Sequence, residues 1–503
     1  RYSSLLALRQ QLGFLRADLG SRMGQMSSDS RFRGKNAHTS PCGRKRKVLV
    51  LSEVMGRRDL KVSFDILYNA GYRSNPMNHD TMRPYPQPRK TPPWVRRRRI
   101  LMAAVLITLV FPCVIFVVAR AVSERKFAGY VEAIQADGLP VSATELERWR
   151  ETVVPEDKIT SLFPADEADE TAVDLYIEAA GMLRRLYNQP TLNRMEELTR
   201  QFEEEGCFEE TDIEELGANL AANKEPLALL YRAATRSPGR VVLDYTQGHM
   251  VALPHLAGFR TNVQILRMDA IHAAFQRDPV RAYEALVAAM AVVRILGAEP
   301  VLIVQLVRCA CVGIIFDTTR EVLAQVAFDD SQLAWLQQWF SDVHIPDEFY
   351  YALIGERVFG IMAFENPAML ATADEDWAKE EYAVPIVSAA SALGLYNREW
   401  DHYFSAMEEL IAGIRLPYPE AQAVCDRLVD RRLIRNPPER SRRRRHHRPP
   451  LPELSKGLYG FTRLPQAKAR DQARASLGAT AMALGRYRLA EGQFPETLQA
   501  LVP

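Results

Sequence analysis

Two histidines and two aspartates stand close enough along the chain to suggest a polar site. His249 and His255 lie in the irregular segment QGHMVALPHLAGFR ahead of a helix, with Asp244 and Asp269 on either side. An imidazole can move protons near neutral pH and a carboxylate can orient it, which is the chemistry of a hydrolase. The sequence holds no H-E-x-x-H, H-x-H, G-x-S-x-G or phosphate-binding glycine loop. We therefore expect histidines with structural roles, and a hydrolase remains the alternative.

Two further groups have side chains that bind cations. Asp374, Glu375 and Asp376 stand beside Trp377, and His446 is followed by His447 among arginines. The acidic group is also typical of a solvated loop, and neighbouring arginines disfavour a cation at the histidine pair. The prediction is therefore no metal site, no cofactor and no catalytic residue that the sequence can identify.

The cysteines are too few for a disulfide framework in a chain of 503 residues. No two of them form a C-x-x-C motif. Cys309 and Cys311 are two residues apart, so on a helix they point to nearly opposite sides and cannot bridge each other. Core packing is the expected role of this pair. The six are Cys42, Cys113, Cys207, Cys309, Cys311 and Cys425.

The strongest signal is the uncharged stretch Ile100–Ala119, ILMAAVLITLVFPCVIFVVA. Twenty helical residues span about 30 Å, the thickness of the hydrocarbon core of a bilayer. Four arginines, 96–99, precede the stretch, so the positive-inside rule places the N-terminal side in the cytoplasm. We predict an uncleaved, single-pass signal anchor in a bacterial inner membrane, with the C-terminal body outside the cytoplasm. Cleavage near Ala119–Ala121 is the alternative, although the apolar stretch is longer than signal peptides usually have.

A second apolar segment, Leu286–Phe316, is interrupted by Arg294, Glu299 and Arg308 and broken near Pro300. A membrane-spanning helix needs about 18 or more apolar residues with few or no charges. This segment therefore predicts two buried helices of a soluble core.

Charge is divided unevenly along the chain, although the formal net charge is only +2. Residues 1–99 carry 22 Lys and Arg against 6 Asp and Glu, whereas the remaining residues carry 42 against 56. The basic arm has neither zinc-ligand spacing nor an aromatic-basic platform, so no nucleic acid partner is expected. It is predicted to be largely disordered, and a true start at Met77 or Met82 would make much of it an extension.

Composition and charge divide the sequence into five predicted parts. The Pro- and Arg-rich stretch NPPERSRRRRHHRPPLPE separates the last part from the body. The parts are a basic arm (1–94), the anchor (95–122), a helical body (123–435), a linker (436–464) and a C-terminal helix with a turn (465–503).

The body is predicted to be mainly α-helical, because its apolar residues recur at intervals of three and four. Ser142–Glu145 and Thr211–Glu214 have the pattern of capping boxes, the second opening a helix through Leu227, and Asp278-Pro279 is typical of a helix start. The helices on either side of Asp278 should form a hairpin of tetratricopeptide size. Val241–Tyr245 is the best strand candidate. Further helices are predicted over Pro300–Ala327, Ser331–Phe340, Asp347–Phe364, Glu399–Ile414 and Glu420–Arg435.

The segment Ala473–Pro503 has an Ala-rich helix that runs to Gly492 and is followed by Phe494-Pro495. It resembles the helix-to-loop transition in the globular part of type II secretion major pseudopilins. Residues 95–503 are similar to uncharacterised bacterial single-pass proteins with an Arg-flanked anchor and a helical body. Those proteins continue past this turn, which implies a truncated C-terminus. The leader junction and the early membrane-helix glutamate of true pseudopilins are absent.

These observations favour a non-enzymatic envelope protein that binds protein partners outside the cytoplasm and contacts the lipid bilayer through Ile100–Ala119. Two alternatives remain. One is a component of a type II secretion or pilus-like apparatus, which rests on the C-terminal resemblance. The other is a membrane-anchored hydrolase without a recognisable motif.

Overall fold

A computed structural model describes residues 92–153, 170–186, 210–297, 299–343, 347–373, 382–431 and 454–501, together with Arg194 and Glu197. Over these residues the chain is mainly helical and has no strand. Residues 92–112 belong to one compact unit and residues 113–501 to another. The basic arm up to residue 91, the acidic group at 374–376 and the histidine pair at 446–447 lie outside the described residues.

Fifteen α-helices are numbered here in chain order over the described residues. They are α1 (Pro93–Ala136), α2 (Ala143–Val153), α3 (Ala172–Leu186), α4 (Glu210–Ala222), α5 (Lys224–Ala234), α6 (His255–Phe275), α7 (Pro279–Leu296), α8 (Leu302–Gln325), α9 (Asp330–Asp342), α10 (Glu348–Glu365), α11 (Pro367–Ala373), α12 (Ala383–Ala392), α13 (Asn397–Ile414), α14 (Glu420–Asp430) and α15 (Leu464–Glu491). Short 3-10 helices cover Tyr245–Met250, Leu454–Arg463 and Leu498–Leu501.

The predicted hairpin on either side of Asp278 is confirmed as the pair α6 and α7, which pack against each other. The carboxylate of Asp278 accepts a hydrogen bond of 3.0 Å from the backbone N–H of Arg281, and Pro279 occupies the first helical position. Both are the expected chemistry of a helix start, because proline lacks only an N–H that the first turn leaves unpaired. The tetratricopeptide-like arrangement of such hairpins stays a prediction.

Helix α8 lies between two hydrophobic clusters. Its residues Cys311 and Val312 are buried in a cluster built mainly by α3, α5, α6, α7, α9 and α15. Leu302 belongs to a second cluster, which α10, α13, α14 and the C-terminal part of α1 complete. The apolar segment Leu286–Phe316 is thus two core helices, as predicted. Over the described residues α8 is also the one helix long and apolar enough to cross a membrane, and most of it is buried inside the protein.

The second predicted capping box does not open one continuous helix. Helix α4 begins at Glu210 and ends at Ala222, and Leu227 lies in the separate helix α5. Asn223 stands between them, with its side-chain amide donating to the Asn219 carbonyl at 2.8 Å. Pro226 has no N–H to continue the first helix, but it is tolerated in the first turn of the second.

Two other predictions about the body were wrong. Val241–Tyr245 forms no strand: Val241 and Leu243 are buried and Val242 is exposed, but the next residues enter a 3-10 helix. Side chains alternate between buried and exposed from Val241 to Leu243, yet a strand also needs a partner strand. Helix α14 ends at Asp430 rather than Arg435.

The C-terminal helix α15 packs on the body rather than standing apart from it. The ring of Phe340 on α9 lies so close to Gly478 that an added Cβ would approach its Cδ1 to 2.6 Å. Met482 is buried in the larger cluster. The described part of the predicted linker forms the 3-10 helix Leu454–Arg463, in which Leu458 is buried.

Candidate functional site

The C-terminal part of α1 is held to the body by α13. The indole Nε1 of Trp400 donates to Ser123 Oγ at 3.1 Å, and the Trp400 ring meets Phe127 edge-on with centroids 5.7 Å apart. The Tyr130 ring packs on Phe404, 4.6 Å between centroids. Aromatic pairs of this kind contribute about 0.5–1.5 kcal/mol beyond their buried area. α1 is therefore anchored to the body by directional as well as apolar contacts.

A charged group completes this contact. The Tyr130 hydroxyl donates to the Glu408 carboxylate, which also pairs with Arg357 at 2.9 Å. Burial and the neighbouring carboxylate raise the pKa of Tyr130, so its hydroxyl remains a donor at physiological pH. The guanidinium of Arg357 is buried, and Glu408 supplies its counter-charge.

In the part of α1 before this contact, Ile100–Ala119, every described side chain is exposed. Large apolar side chains are exposed along it, including Leu101, Leu106 and Val117, each more than 60% exposed. No charge occurs between Arg99 and Arg120. The predicted helix over Ile100–Ala119 is confirmed, since α1 covers that stretch. Its place in a membrane stays a prediction, and the side chains at 107, 109–113, 115 and 119 are outside the described set.

His249, the first of the predicted hydrolase residues, lies against α10. Its Nδ1 is 3.8 Å from a carboxylate oxygen of Glu356, and its ring meets Phe359 edge-on. Burial lowers the pKa of His249 to about 4 and raises the pKa of Glu356 to about 7. Both shifts disfavour the charged forms. At neutral pH the imidazole is uncharged, and the carboxyl holds its proton more readily than an exposed glutamate does.

The other three predicted residues have separate partners. His255 packs edge-on against Phe259, and burial lowers its pKa to about 4. Asp269 pairs with Arg281 at 2.9 Å and accepts from the Tyr231 hydroxyl. Asp244 accepts from the backbone N–H of Thr246 at 3.1 Å, which caps the following 3-10 helix. The four residues are not joined by the contacts described for them.

A buried ion pair closes the turn that leads into α8. Arg150 Nη2 lies 2.7 Å from Glu299 Oε1, and the Tyr245 hydroxyl donates to Glu299 Oε2 at 2.8 Å. The Gln305 side-chain amide donates to the Glu299 carbonyl at 2.8 Å. Both charged side chains are almost wholly buried. These groups therefore fix α2, the 3-10 helix and the turn before α8 relative to one another.

A second buried group joins α8, α10 and α15. The ligand atoms of Cys309, Glu348 and Asp471 lie within 4.8 Å of one another. Arg308 pairs with Glu348 and also donates to the Val343 carbonyl. Burial raises the pKa of the Cys309 thiol well above its usual value, and hydrogen bonding with Asp471 acts in the same direction. The cysteine is thus a neutral thiol among ionic groups.

This group could hold a cation only after the thiol ionised and Glu348 exchanged its arginine partner. The sequence did not indicate it, because its members come from three helices far apart in the chain and no spacing pattern connects them. Cys309 and Cys311 are free, as predicted.

The chain matches no family model, no curated protein and no solved structure.

Proposed function

We propose that this protein is a single-pass, membrane-anchored module whose helical body binds other proteins outside the cytoplasm. The observation that carries the proposal is the division of α1 into an uncharged part with exposed apolar side chains and a part packed on the body. Full exposure of each large apolar side chain costs about 1.5–3 kcal/mol relative to burial. A bilayer around Ile100–Ala119 removes that cost.

Charge sets the proposed orientation. Arg97, Arg98 and Arg99 are exposed on α1 just before the uncharged stretch, and they favour the cytoplasmic side. The acidic excess lies in the chain after that stretch. The body would then lie outside the cytoplasm, where acidic residues add to its solubility.

A binding role is preferred over catalysis because the buried ionic groups have structural partners. Arg150–Glu299 and Arg308–Glu348 each join separate helices. The hydrolase alternative gains no support from His249 and His255, whose ring contacts are with different phenylalanines. A hydrolytic activity abolished by either His249→Gln or His255→Gln would reverse this preference.

The anchor is tested by placing a charge in it. Leu106→Arg should reduce the protein that remains in the membrane pellet after a carbonate wash, since a charge near the centre of a span costs about 2.5–3.5 kcal/mol. Val280→Arg is the matched control, because Val280 is 59% exposed on α7. Equal membrane retention of the parent protein and both variants would contradict the anchor.

The partner role is tested by affinity purification of the detergent-solubilised chain. Stoichiometric envelope proteins would support the role, and a solitary protein would count against it.

A secretion or pilus-like apparatus is a second candidate for the assembly. Its support is the C-terminal turn, where Gly492 adopts a φ of 76° and its N–H donates to the Arg488 carbonyl at 2.9 Å. The Arg488 guanidinium then lies over the Phe494 ring. Deletion of residues 493–503 should impair secretion if this candidate is correct, and unchanged secretion would contradict it.

A further inference from the structure

Helix α12 and the residues after it form an uncharged surface with exposed large side chains. No Asp, Glu, Lys or Arg occurs from Tyr382 to Asn397. One side of α12 packs into a small cluster through Ala383, Val387 and Ala390. Five large side chains remain exposed, and they define what we call the α12 surface: Tyr382, Val384, Ile386, Leu393 and Leu395.

The α12 surface adjoins the point where the uncharged stretch of α1 ends. The guanidinium of Arg120 donates to the backbone carbonyl of Ala392, at the last residue of α12. Arg120 is the first charged residue after that stretch, and exposed Val117 lies one helical turn before it. Trp400, near the start of the next helix, donates to Ser123. Two independent contacts therefore fix this region beside the membrane-proximal end of the anchor.

Charged residues of both signs border the apolar ones, and Glu124 pairs with Arg120 at 2.7 Å. Arg125 on α1 and Arg398 on α13 are both exposed and lie within a few residues of these contacts. An apolar surface bordered by long charged side chains, which can reach the headgroups while their stems stay in the apolar layer, is typical of the boundary between lipid headgroups and acyl chains. A groove for another protein would need no such position next to a membrane span.

We propose that the α12 surface inserts into the lipid headgroup and acyl boundary next to the anchor, and so gives the body a second contact with the bilayer. The inference rests on the proposed membrane anchor. Its occupant is lipid rather than a partner protein, because the contact of Arg120 with Ala392 places the end of α12 one helical turn from the exposed Val117 of the proposed anchor. The body would then be held at a fixed inclination instead of swinging about one helix.

Photo-crosslinking of the full-length chain in native membranes tests whether the α12 surface contacts lipid. Benzoylphenylalanine replaces Ile386 or Leu393, which are 40% and 53% exposed, so the substitutions should leave the fold intact. Benzoylphenylalanine in place of Val117 tests whether the anchor contacts lipid. In place of Val280 it serves as the control at an exposed apolar position of the body. After irradiation, mass spectrometry identifies lipid adducts at each position.

Lipid adducts at 386, 393 and 117, at several times the yield at 280, are the expected result. Adducts at 117 without adducts at 386 and 393 would overturn the α12 contact and leave the anchor intact. Protein adducts in place of lipid at 386 and 393 would overturn it too, and would identify a partner surface. Absence of lipid adducts at 117 would contradict the anchor and, with it, the inference.

Discussion

Trp400 on α13 donates its indole hydrogen bond to Ser123 Oγ on α1 at 3.1 Å, although 277 residues separate the two along the chain. Ser123 is buried, and Phe127, one turn further along α1, meets the same indole edge-on. The contact lies just after the uncharged stretch. It therefore couples the helix that we propose as the anchor to the body.

Trp400→Ala should loosen this coupling. The substitution removes the hydrogen bond to Ser123 and the ring contact with Phe127, and we expect a loss of about 2–3 kcal/mol, below the 3–5 kcal/mol typical of a fully buried aromatic residue. Trypsin cleavage after Arg125 and Lys126, followed by mass spectrometry, should become faster. Leu489→Ala on the exposed side of α15 is the control and should change neither stability nor cleavage. Unchanged cleavage of the Trp400 variant would show that the contact does not hold α1.

Glu299→Gln should be strongly destabilising, because it leaves the charge of Arg150 buried without a counter-charge. Removing one partner of a buried pair typically costs about 3–5 kcal/mol. Glu409→Gln breaks a pair with Arg431 of the same 2.7 Å length at a more exposed position, where about 0–1 kcal/mol is expected. Chemical unfolding in detergent measures both. Similar losses for the two variants would contradict the structural role given to Glu299.

The pair of Glu356 and His249 should produce opposite pH dependences. The pKa of Glu356 is raised from 4.5 to about 7, so the free energy of unfolding falls as pH rises through that window. Glu356→Gln retains an acceptor for the Leu302 N–H and removes the titration. Its stability relative to the parent should increase between pH 4.5 and 7, by up to about 3 kcal/mol, and stay constant above.

The pKa of His249 is lowered from 6.5 to about 4, so its contribution to stability is lost as pH falls through that window. His249→Gln should therefore gain stability relative to the parent as the pH is lowered from 6.5 to 4. Unfolding measured across pH 4–8 tests both variants. Curves that run parallel to the parent at every pH would contradict the shifts.

A close backbone approach explains why Gly355 must lack a side chain. A Cβ at this position of α10 would lie 1.8 Å from the carbonyl oxygen of Pro300 in the turn before α8. Gly355→Ala should thus cost more than 3 kcal/mol, beyond the usual range for overpacking of about 1–3 kcal/mol. Gly181→Ala on α3, where nothing lies within 4 Å, should stabilise by about 0.5–1 kcal/mol through helix propensity. Thermal unfolding compares the two, and a loss at Gly181 equal to that at Gly355 would contradict the packing.

Local sequence patterns predicted where the helices lie better than they predicted which residues come into contact. Asp278-Pro279 and the spacing of apolar residues around it were sufficient for the α6–α7 hairpin, because capping and helix periodicity act over a few residues. The break at Asn223 was missed, since apolar residues keep helical spacing across it. Val241–Tyr245 was a wrong strand candidate, because no strand lies beside it in the described part of the chain.

The candidate sites show the same difference between what is local in the sequence and what tertiary packing brings together. Sequence proximity suggested His249 with His255, yet their ring contacts are with Phe359 and Phe259 respectively. The group of Cys309, Glu348 and Asp471 was not predicted, because tertiary packing alone brings these three helices together. The α12 surface was missed for a similar reason: the contacts of Arg120 with Ala392 and of Trp400 with Ser123 that place it next to α1 join residues far apart in the chain.

Protease accessibility in intact spheroplasts tests the central claim most directly. The full-length chain carries an epitope after residue 503. After digestion, the epitope and the fragment that remains in the membrane are both detected. We predict that externally added protease removes the epitope and the body, while a fragment that contains the basic arm and the anchor stays protected. A body that remains intact until the spheroplasts are lysed would contradict the account.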